Sequence, residues 1–591
     1  MLLPRRKQWA AYPGSGDWPA APTARPFARV NLIRRSSIGF PGSTIARSVE
    51  LGILMIVNSF VFPWNGAWQA VLAACCVCCS SALAAPTVLD PELQIRNVLN
   101  TGSDSFRLVL NPDDGHLYYL KINGNLYRVN LSAQPGGTTS TLVASSNGHH
   151  VTSAAGFAIG PDGTFYLTGN TVRTNHTVGL VTKGVLNHAS SSRTWSVLAQ
   201  TVPIPGGSRI FNHQMNAIVL SPDGKSTYVN IGARTDHGEV QSDGGLFPGL
   251  REAGLTTIIL VLPAQGSNIV LPNNRDQLRQ LGYLFCEGVR NTYDLAFSAK
   301  GELFGLENGP DRDMPEELNW LRAGHHFGFP WRMGTEDNPQ QFPNYDPSKD
   351  KLLNQSYYAV GHGTYQNDPT FPPPPAAFTD PVLSVGPDAD RIRDPLTGAA
   401  LDASDLGRTI GTFTAHRCPQ GLTFDKQNAL GSKFTGNAFA VSWTPGLASG
   451  QTGEGPFADP SQDLLHLKLI PLGTTDYQVQ VTRIVGGFQN PVDTEIIENK
   501  IYVLENGGSQ GLWEVTFPAA PRPLLTDPAW LPSGIFRLTL RGTPNTAYVL
   551  EASSSLSEWN TLTNYNGSDA PMTFSDTSAP ASQRFYRARP R

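Results

Sequence analysis

One short phrase constrains this chain of 591 residues more than any other feature: an apolar strand, a polar turn carrying Gly, then an apolar-aromatic strand. It appears as LVLNPDDGHLYYL (108–120), FAIGPDGTFYLTG (157–169), IVLSPDGKSTYVNIG (218–232) and LAFSAKGELFGLE (295–307). Looser copies are LTFDKQNALGSKFTGNAFAV (422–441) and TEIIENKIYVLEN (494–506). Each is a hairpin signal, because Pro presets a turn, Gly supplies positive φ, and alternating Leu, Phe, Tyr and Val give an apolar face. Six such units, none able to bury its faces alone, point to an all-β radial repeat. A β-sandwich with coincidental turns is the competing reading. The low charge (16%) and the 58 Gly and 47 Pro agree with a turn-dense β protein.

The repeats fill a body expected over 86–517. Between the fourth and fifth lies an irregular stretch, Met333 to Asp405, with Pro372-Pro373-Pro374-Pro375, which is expected to cap an opening or to be partly disordered. A Pro-rich linker is expected at 518–534. Alternating strands around Trp559, closing on Phe585-Tyr586-Arg587, then predict a small β-sandwich-like module at 535–591, for binding or attachment.

Residues 1–85 read as an export region. Eight Lys and Arg stand there against Asp17 and Glu50, which leaves about −10 on the remainder of a chain whose net charge is −4. Arg34, Arg35 and Arg47, an apolar run from Leu51, and the small-residue site Ala82-Leu83-Ala84 fit a secretory signal cut near residue 85. The upstream part is longer than such a signal needs, which leaves a mis-assigned start at Met1 open. Pro63-Trp64-Asn65-Gly66 splits the apolar run, so neither half spans a bilayer. Leu72-Ala73-Ala74-Cys75 also resembles a lipobox, which would make Cys75 a lipid anchor, and Arg34-Arg35 a twin-arginine signal. The expected location is periplasmic or extracellular. A mildly acidic body argues against a nucleic-acid partner. Cys286 and Cys418, the two cysteines of the body, are either a disulfide or two buried thiols.

Three places carry chemistry. His213, just before the third hairpin, stands where a neutral imidazole can face a central pocket and accept a proton, or is structural. Arg290-Asn291 opens the fourth hairpin with a planar donor fork and an amide, suited to carboxylate or quinone oxygens, unless Arg290 pairs internally with Glu287 or Asp294. Glu307-Asn308-Gly309-Pro310-Asp311, followed by Asp313, Glu316, Glu317 and Asn319, is an oxygen-rich loop fit for calcium, or a solvated acidic loop; its spacing is not that of an EF-hand.

His-Gln before a PDG hairpin, then G-x-R-N, E-N-G-P-D, E-L-N and G-x-x-x-G-F-P-W in that order, resembles the glucose/sorbosone dehydrogenase family of soluble pyrroloquinoline quinone (PQQ) enzymes from about Leu93 to Val515. The resemblance implies a six-bladed β-propeller with PQQ over the central channel. It implies that His213 is the base taking the hydroxyl proton of an aldose or related alcohol, that Arg290 and Asn291 hold the quinone oxygens, and that the carbonyls of Gly309 and Pro310 ligate calcium. The electron acceptor stays unknown.

The chain departs from the family pattern in three places. Gln214-Met215-Asn216 replaces small residues after the histidine, which is expected to narrow the pocket. Gly232-Ala233 stands where the family has Gly-Asp, with Asp236 as substitute. Val441-Ser442-Trp443-Thr444 lacks the basic residues expected against the cofactor's carboxylates, leaving His416 and Arg417, with Arg391 or Arg393, to compensate. A calcium-dependent propeller lactonase, and a non-catalytic carbohydrate- or protein-binding propeller, are the rival functions.

Overall fold

Each of the six repeated phrases forms the antiparallel first hairpin of a sheet. The computed structural model describes residues 85–590 apart from 207–210, 376, 445–455, 508–510, 521–522, 545, 557, 569 and 580–582. Among the described residues up to 516, the first strands of the six larger sheets are Ser105–Leu110, Ala154–Ile159, Met215–Leu220, Thr292–Phe297, Pro419–Phe424 and Pro491–Ile497. Successive strands then pair outward in chain order. The sixth sheet differs at its outer edge, because Gln94–Asn100 pairs with Gly511–Thr516, so the two ends of the repeat share one sheet.

The first strands pack side by side in a closed circle, each against the next and the sixth against the first. Between every two neighbouring sheets lies an apolar cluster, so each sheet buries both faces. Tyr118 and Leu120 pack with Phe157 and Phe165 of the second sheet. The alternate residues Leu117 and Tyr119 pack with Tyr502 and Leu504 of the sixth. This explains why the strands read as near-continuous apolar runs: at about 25 cal/mol per Å² buried, each sheet is stabilised by two neighbours.

Each first strand also shifts register near its start, between Ser105 and Arg107, Ala154 and Gly156, Met215 and Ile218, Thr292 and Asp294, Pro419 and Leu422, and Pro491 and Asp493. Bulges of this kind re-aim side chains and free backbone amides. Carboxylates on one first strand accept amides of the next: Leu422 N donates to Asp294 Oδ2 (2.8 Å) and Leu108 N to Asp493 Oδ2 (2.8 Å). Arg107 reaches from the first sheet to Ala155 O (3.1 Å) and Tyr293 O (2.6 Å), which ties three sheets across the middle.

The irregular stretch 333–405 is ordered by side-chain bonds more than by strands. It contributes Leu383–Pro387, parallel to the fifth sheet's Asp476–Gly486, and the hairpin Arg391–Arg393 with Ala400–Asp402. The expected linker contains a strand, Leu524–Trp530, which pairs with Phe536–Arg541 because its residues are apolar enough to pack as well as connect. The other sheet there is centred on Ala547–Ser553, between Asn560–Asn566 and Phe585–Pro590. Cys286 and Cys418 are both free thiols. The export region and Cys75 lie outside the described residues, and no described helix is long and apolar enough to cross a membrane.

Candidate functional site

His213 and Arg290-Asn291 stand just before the first strands of the third and fourth sheets, and the fold brings them together at Gly232. A β-carbon on Gly232 would lie 2.6 Å from His213 Cβ, 3.0 Å from Arg290 O and 3.5 Å from Asn291 Oδ1. Only glycine allows that approach.

His213 Nδ1 lies 3.1 Å from Ala233 O. A carbonyl can only accept, so Nδ1 carries the proton and donates it, leaving the lone pair on Nε2. No described residue bonds Nε2. Burial, and then the Arg290 cation, push this imidazole down to about 3, so it is neutral throughout the physiological range.

The Arg290 guanidinium is buried and oriented from three directions. Nε donates to Asp236 O (2.8 Å), Nη2 to Asp236 Oδ1 (2.9 Å) and Nη1 to Asn308 O (3.1 Å). Its partner is therefore Asp236, and neither Glu287 nor Asp294. Burial opposes charge on Asp236, but His237 and Arg290 outweigh it and hold the carboxyl down at about 2. The loop that carries Arg290-Asn291 is fixed from below by Glu307, whose carboxylate accepts from Arg290 N (2.7 Å), Asn291 N (3.0 Å) and the Thr292 hydroxyl.

A line of amides runs across the rim. Asn216 Nδ2 donates to Asn291 Oδ1 (2.7 Å), Asn291 Nδ2 to Asn308 Oδ1 (2.9 Å), and Asn308 Nδ2 to Pro419 O (2.8 Å). The neighbouring Met215 is buried between the second and third sheets, where a β-carbon on Gly179 would meet its Cε at 2.8 Å. Strand alternation turns it to the face opposite Asn216, so of the three residues expected to narrow the pocket Met215 is packed between sheets.

The acidic loop does two separate jobs. Its carboxylates are taken up by local bonds: Glu316 accepts from Gly309 N (3.1 Å) and Cys418 N (2.6 Å), and Glu317 from Gly334 N (2.7 Å) and Asn319 Nδ2 (2.8 Å). Asp311 accepts from Ala359 N (2.6 Å), Asp313 pairs with Arg393 and with His416 Nε2 (2.8 Å), and Arg312 pairs with Asp350 (2.9 Å), which docks the 333–405 stretch on the loop. No cluster of His, Cys, Asp or Glu among the described residues could hold a metal. The carbonyls of Gly309 and Pro310, however, accept no hydrogen bond from any described residue. Two unpaired carbonyls at a largely buried turn suit a hard cation.

Arg417 does not belong to this site. It is fully buried and donates to Pro460 O (2.7 Å) and Asp463 Oδ2 (2.6 Å), with Asp459 at 2.9 Å, so its charge is spent inside the fifth sheet. His416 stacks on Tyr357, with centroids 4.0 Å apart, and Arg393 lies over Phe457. Arg391 Nη1 points to Phe457 O at 3.4 Å. A cavity of about 420 Å³ opens at the other ends of the first strands, lined by Leu110, Ile159, Leu220 and Phe424, away from His213 and Arg290. The sequence offered Asp236 only as a substitute acid, Asn308 only as part of the oxygen-rich loop and Asn216 only as a bulky replacement; their bonds to Arg290 and Asn291 carry no spacing signature.

No family model matches the chain, and no curated protein matches it. Solved structures similar to it include the PQQ-bound form of an aldose sugar dehydrogenase from Streptomyces coelicolor (16% identity, 73% of this chain and 99% of that one, TM-score 0.41). The PQQ domain of a pyranose dehydrogenase from Coprinopsis cinerea is similar at 13% identity (73% and 97%, TM-score 0.45). A gluconolactonase from Xanthomonas campestris is similar at 10% identity (74% and 95%, TM-score 0.34).

Proposed function

We propose that the chain is an exported, calcium-dependent sugar or alcohol dehydrogenase that uses PQQ. In this reading a six-bladed propeller spans 86–517 and a C-terminal β module follows. The closed circle of six first strands, sealed by Gln94–Asn100, supports the architecture. The observation that carries the chemistry is the convergence of His213, Arg290 and Asn291 on Gly232.

His213 Nε2, neutral and bonded by no described residue, takes the proton from the substrate hydroxyl. Bound at this rim, PQQ supplies a quinone carbonyl carbon that accepts the hydride leaving the same substrate carbon. One N–H on each terminal nitrogen of Arg290, and one on Asn291 Nδ2, meets no acceptor among the described residues and is left to meet the quinone oxygens. The carbonyls of Gly309 and Pro310 would hold calcium, whose charge is compatible with an anionic cofactor.

The fit is closest at the quinone end. With Arg417 spent on Asp459 and Asp463, and Arg393 on Asp313, few cations remain for the cofactor's carboxylates. That shortage favours a second reading, a calcium-dependent lactonase needing no quinone. Dye reduction with added PQQ, calcium and aldose sugars tests the first: sugar-dependent turnover lost in His213→Ala supports it. Absence of any PQQ-induced absorbance change or thermal shift ends it. Lactone hydrolysis without PQQ supports the second reading, and ligand binding without turnover a non-catalytic propeller.

A further inference from the structure

Position 233 is alanine, and the nearest buried acid lies three residues on, at Asp236. Asp236 is fully buried, and its carboxylate accepts from four donors. Its Oδ1 accepts from Arg290 Nη2 (2.9 Å) and Asp311 N (3.1 Å), and its Oδ2 from His237 Nδ1 (2.9 Å) and the Tyr365 hydroxyl (3.0 Å). Its own carbonyl accepts Arg290 Nε. Tyr365 comes from the 333–405 stretch, stacks on His237 with centroids 3.7 Å apart, and takes a further bond from Arg312 N (3.1 Å).

We propose that Asp236 is the positioning residue that holds the Arg290 guanidinium at the quinone-binding rim, and that Tyr365 couples the 333–405 stretch to it. The inference rests on the dehydrogenase reading. Among the described residues His213 is hydrogen-bonded by Ala233 O and not by Asp236, so Asp236 acts through Arg290 and not as an orienter of the base. Two bonds from one residue, one to its carboxylate and one to its backbone, fix both the position and the plane of the guanidinium. Among the described residues Asp236 is the carboxylate paired with Arg290. Without it a buried cation would lose its counter-charge and turn toward other acceptors. The displacement need not be large, since misplacing a group by about 1 Å can cost about 100-fold in rate.

The tests are Asp236→Asn and Tyr365→Phe in the full chain. In crystals of Asp236→Asn grown without cofactor, the guanidinium is expected to move by roughly 1 Å. With PQQ and calcium, kcat is expected to fall about 100-fold with KM within about twofold, and the quinone Kd to rise about tenfold. The double variant Asp236→Asn/Arg290→Lys is expected to be no worse than the worse single variant. Tyr365→Phe is expected to show a smaller loss in the same direction, and it carries the test if Asp236→Asn does not fold. An unmoved guanidinium with kcat within about twofold, or losses that multiply in the double variant, overturns the proposal. If the unmodified protein binds no quinone, the dehydrogenase reading falls, while the cofactor-free crystal still decides what Asp236 does to Arg290.

Discussion

Asn291 and Asn308 share a hydrogen bond of 2.9 Å from Nδ2 to Oδ1 that closes the two ends of the fourth sheet's first hairpin over the rim. Asn216 on one side and Pro419 O on the other extend it to the third and fifth sheets. Asn291→Ala leaves an amide donor of Asn216 and an amide acceptor of Asn308 without partners. A loss of about 2–6 kcal/mol in unfolding free energy is expected, measured by urea denaturation, because each buried unpaired group costs about 1–3 kcal/mol.

His213 titrates at about 3, below its unfolded value, so its basic form persists as pH falls. The pH–rate profile of a dehydrogenase working through it is expected to stay flat from pH 7 to about 4 as far as this group is concerned. His213→Ala is expected to lower kcat by about 100- to 10,000-fold, read by dye reduction.

Gly232→Ala places a methyl 2.6 Å from His213 Cβ and 3.0 Å from Arg290 O. Base and guanidinium loop must then separate. A fall of about 100-fold in kcat is expected, with the far-ultraviolet spectrum unchanged.

Burial, and then the charge of Glu307, push the Glu317 carboxyl up to about 8. The folded state therefore favours the protonated acid, and the stability it contributes is present below the unfolded value of about 4.5 and lost as pH rises through about 8. Glu317→Gln is expected to match the unmodified protein near pH 5 and to exceed its Tm by several degrees near pH 9, by calorimetry at both pH values.

Arg417→Met separates structural from functional charge. It removes the cation beside Asp459 and leaves Asp463 with Arg483 alone, so a loss of about 3–5 kcal/mol is expected in chemical unfolding. Quinone affinity of the folded fraction, by absorbance titration, is expected to be unchanged. A fall in affinity would return Arg417 to the site.

The sequence by itself determined the all-β class and the six hairpins, because turn chemistry and strand alternation are local. Pro-Asp-Gly presets the second and third reversals and Pro-Asp-Asp-Gly the first, and the alternate residues Leu117–Tyr119 and Tyr118–Leu120 mark two buried faces. It also marked His213, Arg290, Asn291 and the Gly309-Pro310 turn as chemistry-bearing. Only the tertiary structure decided which charges remain for that chemistry, since pairing partners lie far apart in the chain. Arg417 is consumed by Asp463, 46 residues away, and Arg290 by Asp236, 54 residues away. The acids of the 307–317 loop are consumed too, by backbone amides and by the stretch 333–405, leaving the two carbonyls of Gly309 and Pro310 without a donor among the described residues. A buried charge is satisfied by whatever the fold sets beside it, and no spacing along the chain encodes that neighbour.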